Sequence, residues 1–293
     1  MKEINIFCFG FGQVAKNFIK KLSTENYKLN LSVTSRSESS KKTSNGIEYN
    51  NYLFDDKKFD RDLLIKLNQA THILISIPPI NKEDIVLKNF SEFIKSSKVK
   101  WITYLSSTSV YGDHKGEWVN ESSETNPFTD KGLARLESEN SWISFAKNNE
   151  LPIQIFRLSG IYSNEKNTLS RLKSSEVNII NKTDHYFSRI HVVDIANFLF
   201  ASIFKFKSGE IYNLADDKPS SSEEIILYAA KLLGIKNVKK IEIDEIKSEI
   251  LKNFYKESKK VSNEKIKNYF NYKLKFPSYV EGLSYIRDNF IKF

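Results

Sequence analysis

Ile4-Asn5-Ile6-Phe7-Cys8-Phe9, running without a break into Gly10-Phe11-Gly12-Gln13-Val14-Ala15, decides the fold of this chain. The first six residues are apolar but for Asn5 and read as a buried strand. Residues 16–22 read as a helix. The glycines therefore sit between strand and helix, the setting that the G-x-G-x-x-A fingerprint of a dinucleotide-binding βαβ unit requires. Gly10 permits the tight turn, and Gly12 lets the backbone approach a pyrophosphate. Ala15 keeps helix and strand close, while the helix start at Gln13 and Val14 offers free N–H groups and a positive dipole end.

Outward from this turn, strand-like and helix-like segments alternate through the first half. Strands are expected at residues 29–34, 51–54, 72–77, 101–105 and 153–158, and helices at 59–69, 82–96 and 132–148. Several of the strands are near-continuous apolar runs, as strands covered on both faces are. The pattern predicts an α/β fold of the Rossmann type, a doubly wound parallel sheet. Residues 35–45, rich in Ser and Lys, read as an exposed loop. Beyond residue 159 the alternation loosens, with helices at 193–204 and 222–233 ahead of a lysine-rich end. The expected division is a nucleotide-binding core over 1–160 and a smaller substrate-binding part over 161–293, interleaved with the core.

Of the 293 residues 45 are basic and 36 acidic, a net charge of +9. The lysines are dispersed, as Lys236, Lys239 and Lys240 are around Asn237 and Val238, and no basic stripe carries interleaved aromatic residues. That argues against a nucleic-acid partner. The single cysteine, Cys8, lies within the first strand and reads as core, which suits a reducing cytoplasm. Four histidines and one cysteine show no metal-ligand spacing, so no metal is expected. No apolar run approaches a membrane span, and Met1-Lys2-Glu3 does not open a signal peptide.

Further segments fall in an order that resembles a known family. They are Tyr104-Leu105-Ser106-Ser107-Thr108-Ser109-Val110-Tyr111-Gly112, Arg157-Leu158-Ser159-Gly160-Ile161-Tyr162, Arg189-Ile190-His191-Val192-Val193-Asp194-Ile195-Ala196 and Ile211-Tyr212-Asn213-Leu214-Ala215-Asp216-Asp217. With the glycine turn they resemble the extended or atypical short-chain dehydrogenases/reductases of the NAD(P)-dependent epimerase/dehydratase type. The resemblance implies a Rossmann core with a smaller C-terminal part, and a ligand at the carboxyl ends of the strands. It also implies hydride chemistry with a nicotinamide cofactor on an alcohol or carbonyl, in many relatives that of a nucleotide sugar.

The second strand ends Val33-Thr34-Ser35-Arg36-Ser37, with no carboxylate at its tip to hold a ribose 2′-hydroxyl. Arg36, with Ser35 or Ser37, suits a 2′-phosphate, so NADP is expected over NAD, and Glu38 keeps NAD as the alternative. Asp55 matches a position that contacts adenine in relatives. Ser76-Ile77-Pro78-Pro79 matches the stretch that runs along the cofactor, where two prolines would fix the loop.

The resemblance places catalysis on a Ser or Thr, a Tyr, and a Lys four residues after the Tyr. Ser107 matches the serine. Lys131 stands at the tyrosine position and Arg135 at the lysine position, where an arginine can still hold a ribose hydroxyl. Thr108 and Ser109 replace the Asp-Glu pair of sugar dehydratases, which argues against that reaction. Substitute proton carriers are His114, a shuttle near neutral pH, Tyr111 and Tyr162. His191 and Asp194 read as structural, with Asp194 capping or bracing the helix that follows. By resemblance residues 163–188 line the substrate pocket. A homodimer through the helices at 82–96 and 132–148 would use Phe90, Phe93, Leu136 and Trp142, residues equally expected as core. The expected function is an NAD(P)-dependent oxidoreductase or epimerase. The alternative is a dinucleotide-binding sensor or regulator without turnover.

Overall fold

Apolar runs of the sequence form the parallel strands of the computed structural model, which describes residues 2–25, 27–44, 46–174 and 177–291. The first elements are β1 (Lys2–Phe9), α1 (Gln13–Ser23), β2 (Tyr27–Ser35), β3 (Ser40–Ser44), β4 (Ile47–Leu53), α2 (Leu63–Gln69), β5 (His72–Ile75), α3 (Ile85–Lys95) and β6 (Trp101–Ser107). A 3₁₀ turn at Thr108–Tyr111 leads to β7 (Trp118–Val119), α4 (Asp130–Asn148), β8 (Ile153–Leu158) and β9 (Gly160–Tyr162). Then come α5 (Thr168–Lys173), β10 (Ile179–Ile180), β11 (Arg189–His191), α6 (Val192–Phe204), β12 (Ile211–Leu214) and α7 (Ser222–Leu233). The chain closes with β13 (Lys240–Ile241), α8 (Glu249–Lys256), β14 (Lys260–Val261), α9 (Glu264–Phe270) and α10 (Tyr279–Phe290). Among the described residues no helix is long and apolar enough to cross a membrane.

Two compact units result. Met1–Ser107, Leu133–Arg157 and Ile195–Tyr212 form the first; Thr108–Gly132, Leu158–Asp194 and Asn213–Phe293 form the second. The chain passes between them repeatedly; the sequence suggested a core over 1–160 and a smaller part over 161–293 interleaved with it. Residues 108–132 group with the later chain because their backbone pairs with it: β7 runs parallel to β14, and the His114 N–H donates to the Ser258 carbonyl. Helix α6 returns to the first unit, where Ser202 Oγ accepts from Trp101 Nε1 at 3.0 Å.

In the first unit the sheet order is β12-β8-β6-β5-β1-β2-β4-β3. Strands β2 and β4 lie to one side of β1, and β5 and β6 to the other, all in parallel pairs. The order thus reverses at β1, and the carboxyl ends of β1 and β5 mark the point at which such sheets bind ligands. Phe7, Phe9, Phe54, Phe90 and Trp142 are fully buried in one cluster. Cys8 is likewise buried, which pushes its thiol pKa up. On α4 and β8 a charged pair is sealed in: Arg157 Nη2 lies 2.7 Å from Glu139 Oε2, with the two residues 4% and 1% exposed.

One expectation fails here. Residues 40–44 are exposed as foreseen, yet they form β3, which pairs antiparallel with β4. The hairpin signal was the pair Asn45-Gly46, and Gly46 has the positive φ of +75° that a two-residue hairpin turn demands. Asn45 itself lies outside the described residues. Ser40-Lys41-Lys42-Thr43-Ser44 carries no apolar alternation, so strand periodicity had nothing to register. A strand, and no helix, therefore connects β2 to β4.

The second unit has short parallel pairs, β9 with β11 and β10 with β13. Its core packs α5, α7 and α10 through Leu169, Ile225, Ala229, Leu283 and Ile286. Helix α7 starts with a capping box, Ser221 with Glu224, and ends at Gly234 in the left-handed region. Asp194, expected to cap or brace α6, sits inside the first turn of that helix and is not its cap. Its carboxylate accepts from Tyr272 Oη (2.8 Å), Lys275 N (2.7 Å) and Phe276 N (3.0 Å), fixing the C-terminal segment. His191 packs at 4.1 Å on the Phe276 ring.

Candidate cofactor and active site

Gly10 follows β1 with φ +85°, and a Cβ there would come within 2.8 Å of Ser76 Oγ. Both the turn and the close approach of the β5 loop demand glycine. The Gly10 N–H donates to Thr34 Oγ1 at 2.9 Å, and Ser76 Oγ donates to the carbonyls of Phe9 (3.0 Å) and Gly10 (3.1 Å). The ends of β1, β2 and β5 are thus tied together around the turn. Pro78, further along, is exposed.

Gly12 differs in kind. Its φ of −82° and ψ of −169° are extended values open to any residue, and a Cβ there would meet nothing within 4 Å. It is the N-cap of α1, yet no side chain caps this helix and no acidic residue lies in its first turn. Neither backbone nor packing asks for glycine at this position. Open space over uncapped N–H groups and a helix dipole is a cradle for an anion. Gln13 and Val14 open α1; Val14 is buried in the core, so only its backbone faces this space.

At the end of β2, Ser35 Oγ and Ser37 Oγ are 2.7 Å apart and Ser37 N donates to Ser35 Oγ at 3.2 Å. Lys42, on β3, donates from Nζ to Ser37 Oγ at 3.3 Å, and Arg36 is exposed beside them. Two hydroxyls and the Lys42 ammonium meet there, and Arg36 and Glu38 are exposed in the same stretch. Asp55 Oδ1 accepts from the N–H groups of Lys57 (2.8 Å) and Lys58 (2.9 Å), which holds its carboxyl below the usual range. One oxygen of Asp55 is thereby committed to its own turn.

Ser107 is the last residue of β6 and partly exposed. Lys131 lies exposed in the first turn of α4. One turn on, Arg135 donates from Nη1 to Tyr104 Oη (3.1 Å) and to the Leu105 carbonyl (2.9 Å). It pins α4 to the end of β6, and burial raises the Tyr104 phenol to about 12. In the second unit Tyr111 is fully buried and its hydroxyl donates to Asn213 Oδ1 at 2.8 Å. His114 Nε2 lies 3.1 Å from the Tyr111 carbonyl and 3.2 Å from that of Glu124, so this nitrogen carries the proton and braces the loop. Tyr162 is buried with its hydroxyl on the Ser278 carbonyl (3.2 Å).

The second unit also holds a cavity of about 1320 Å³. Residues 163–188 supply part of its wall, as expected, through Asn167, Ser170 and Phe187 among others; residues 175 and 176 lie outside the described residues. The rest comes from β9, Arg189 and α7, from residues 239–248 and from α8 and α10, which the sequence had not assigned to the pocket.

A doubly wound parallel sheet with a strand–glycine-turn–helix at its reversal point defines the class: an α/β protein of the Rossmann type. The model of the NAD dependent epimerase/dehydratase family matches residues 85–215 of the chain. A functionally unknown conserved protein from Silicibacter pomeroyi is 30% identical over 99% of both chains, with a TM-score of 0.86. UDP-glucuronic acid 4-epimerase from Bacillus cereus, solved in complex with NAD, is 17% identical over 98% of this chain and 96% of its own, with a TM-score of 0.77. The dTDP-glucose 4,6-dehydratase from Bacillus anthracis, also with NAD, gives 17%, the same coverage and 0.75. At that identity these two likenesses are of fold. No curated protein matches the chain in sequence.

Proposed function

We propose that this protein is an NADP-dependent oxidoreductase or epimerase acting on an alcohol or carbonyl carbon of a small molecule, nucleotide sugars among the candidates. The observation that carries the reading is Gly12, a glycine that the fold does not need, at the uncapped start of α1. Gly10, Gly12 and the first N–H groups of α1 hold the pyrophosphate. Arg36, Ser35 and Ser37 hold the 2′-phosphate, with Asp55, Ser76 and Pro78 along the adenine and ribose side. Arg135, whose Nη1 is spent on Tyr104 and Leu105, offers its other donors to the nicotinamide ribose. When bound, the nicotinamide supplies or accepts the hydride. Ser107 orients the substrate oxygen, and Lys131 Nζ exchanges the proton with it. The setting proposed is the reducing cytoplasm. A homodimer through α3 and α4 is consistent with the half-exposed Phe93, whereas Phe90 and Trp142 are core.

Calorimetric titration of the cofactor-free protein with NADPH and NADH tests this. Selective NADPH binding is expected, and Arg36→Ala should weaken NADPH by about tenfold or more with little effect on NADH, because a guanidinium pairs with a phosphate dianion. Equal loss of both removes the 2′-phosphate role. The solved Bacillus complexes hold NAD, so NAD is the alternative cofactor. Binding of neither leaves the glycine turn structural and the reading falls.

A second reading, a dinucleotide sensor without turnover, is favoured by the engaged state of Tyr111, Tyr162 and His114. The two readings part on Ser107→Ala and Lys131→Met. Each should lower turnover by about a hundredfold or more if it takes part in proton transfer. Turnover untouched by both substitutions rejects the catalytic assignment.

A further inference from the structure

Helix α8 carries Leu251, Phe254 and Tyr255 at the i, i+3, i+4 spacing of one helical face. All three line the cavity of the second unit, and Phe254 remains 38% exposed. An apolar face of this kind normally closes on a core. Here Leu251 and Tyr255 join Ile180, Ile241 and Ile246 in a small apolar cluster, separate from the larger one that packs α5, α7 and α10. Successive residues of β10 mark the division, as side chains on opposite faces of a strand do: Ile179 belongs to the larger cluster and Ile180 to the smaller. The cavity of about 1320 Å³ is walled by both clusters, since Ile225 and Ile226 of α7 and Leu283 of α10 line it too. The Phe254 ring meets Phe187 edge-on, centroids 4.7 Å apart, which extends the apolar wall.

The polar groups of that wall are mostly committed to the fold. Asn167 caps α5 through Oδ1 and donates from Nδ2 to the carbonyls of Ser163 (2.9 Å) and Asn164 (3.1 Å). The Ser170 and Ser174 hydroxyls donate to carbonyls of residues 167, 170 and 171. Ser248 Oγ caps α8 by accepting from Leu251 N at 3.4 Å. Arg189 lies against the Phe187 ring and donates from Nη1 to the Phe187 and Ser220 carbonyls. The other charged residues of the wall, Glu165, Lys166, Arg171, Lys239, Glu245 and Lys247, are exposed. A sugar ring needs a hydrogen-bond partner for each hydroxyl it takes out of water, and groups already bonded within the fold do not supply them. Two facing apolar surfaces instead favour a ligand that is itself apolar.

We propose that the cavity of the second unit takes a substrate with a bulky apolar body, an alcohol or carbonyl compound on an aliphatic or aromatic skeleton, which fills the gap between the two clusters and gives the apolar face of α8 a packing partner. That this ligand is the substrate rests on the reading above; that the cavity takes an apolar body does not.

N-phenyl-1-naphthylamine, an uncharged apolar reporter that brightens out of water, is titrated into the full-length protein without cofactor, with 1-decanol and UDP-glucose as competitors. Saturable binding at one site per chain is expected, displaced by decanol and not by UDP-glucose. Phe254→Asp, which sets an unpaired carboxylate in the wall, should weaken it about tenfold or more. No saturable binding, equal affinity in the variant, or displacement by UDP-glucose overturns the assignment. Should Phe254→Asp melt early, a diazirine-bearing decanol is photolysed with the native protein and the labelled peptides are mapped by mass spectrometry. Labels on α7, α8 or α10 carry the assignment; labels confined to other segments overturn it. A protein that binds the reporter and not NADPH fails the cofactor reading alone, and one that binds NADPH and not the reporter fails the cavity assignment alone.

Discussion

Gly12→Asp should keep or slightly raise the melting temperature while cutting NADPH affinity by about a hundredfold or more. An aspartate at this N-cap accepts from the uncapped N–H groups of α1 and complements its dipole, worth a few tenths of a kcal/mol over glycine. The extended backbone tolerates it, and its Cβ enters open space. The same carboxylate fills the cradle and puts a negative charge where a pyrophosphate must lie. Stability and affinity therefore move in opposite directions, which no generally damaging substitution produces. Scanning calorimetry with a fluorescence titration reads both. Destabilisation by several kcal/mol would mean that the fold itself requires the glycine. Undiminished NADPH binding would place the pyrophosphate elsewhere. Gly10 makes the opposite case, since its positive φ and the nearness of Ser76 oppose any side chain.

The second large effect is on stability. Glu139→Ala strands the Arg157 guanidinium, 4% exposed, without its bidentate partner, and should cost about 3–5 kcal/mol. In a unit of this size that lowers the melting temperature by on the order of 10 °C. Replacing both residues, Glu139→Leu with Arg157→Met, should recover most of the loss, because a buried ion pair is a weak net stabiliser against an apolar pair of similar volume. Paired melting curves of the single and double variants check this. A single variant as stable as the native chain would show that water reaches Arg157.

The glycine turn and the sheet strands were legible because their signals are local: apolar runs, then two glycines at fixed spacing, then a helix. Residues 153–158 and 222–233 became β8 and α7 with those bounds. What escaped depends on residues far apart in the chain. Thr34 meets Gly10 only once β1 and β2 pair. Arg135 meets Tyr104 across the gap between β6 and α4, and Asp194 braces a segment some eighty residues downstream. His114 looked available for proton transfer because no sequence pattern reveals that two carbonyls hold its Nε2. Arg189 passed as part of a family motif, and its surroundings took shape only when β11, α8 and α10 closed on one cavity.

Strand β3 carries a consequence for how this chain behaves among its own copies. As the last strand of the sheet it leaves one row of backbone donors and acceptors for any passing extended segment to take up. Yet its sequence is Ser-Lys-Lys-Thr-Ser, exposed almost throughout. A second copy docking along this margin would have to bring lysine against lysine and strip water from hydroxyls, with no apolar contact in return. The margin therefore acts as a gatekeeper against templated aggregation, and its lysines should set how the protein's colloidal behaviour changes with salt.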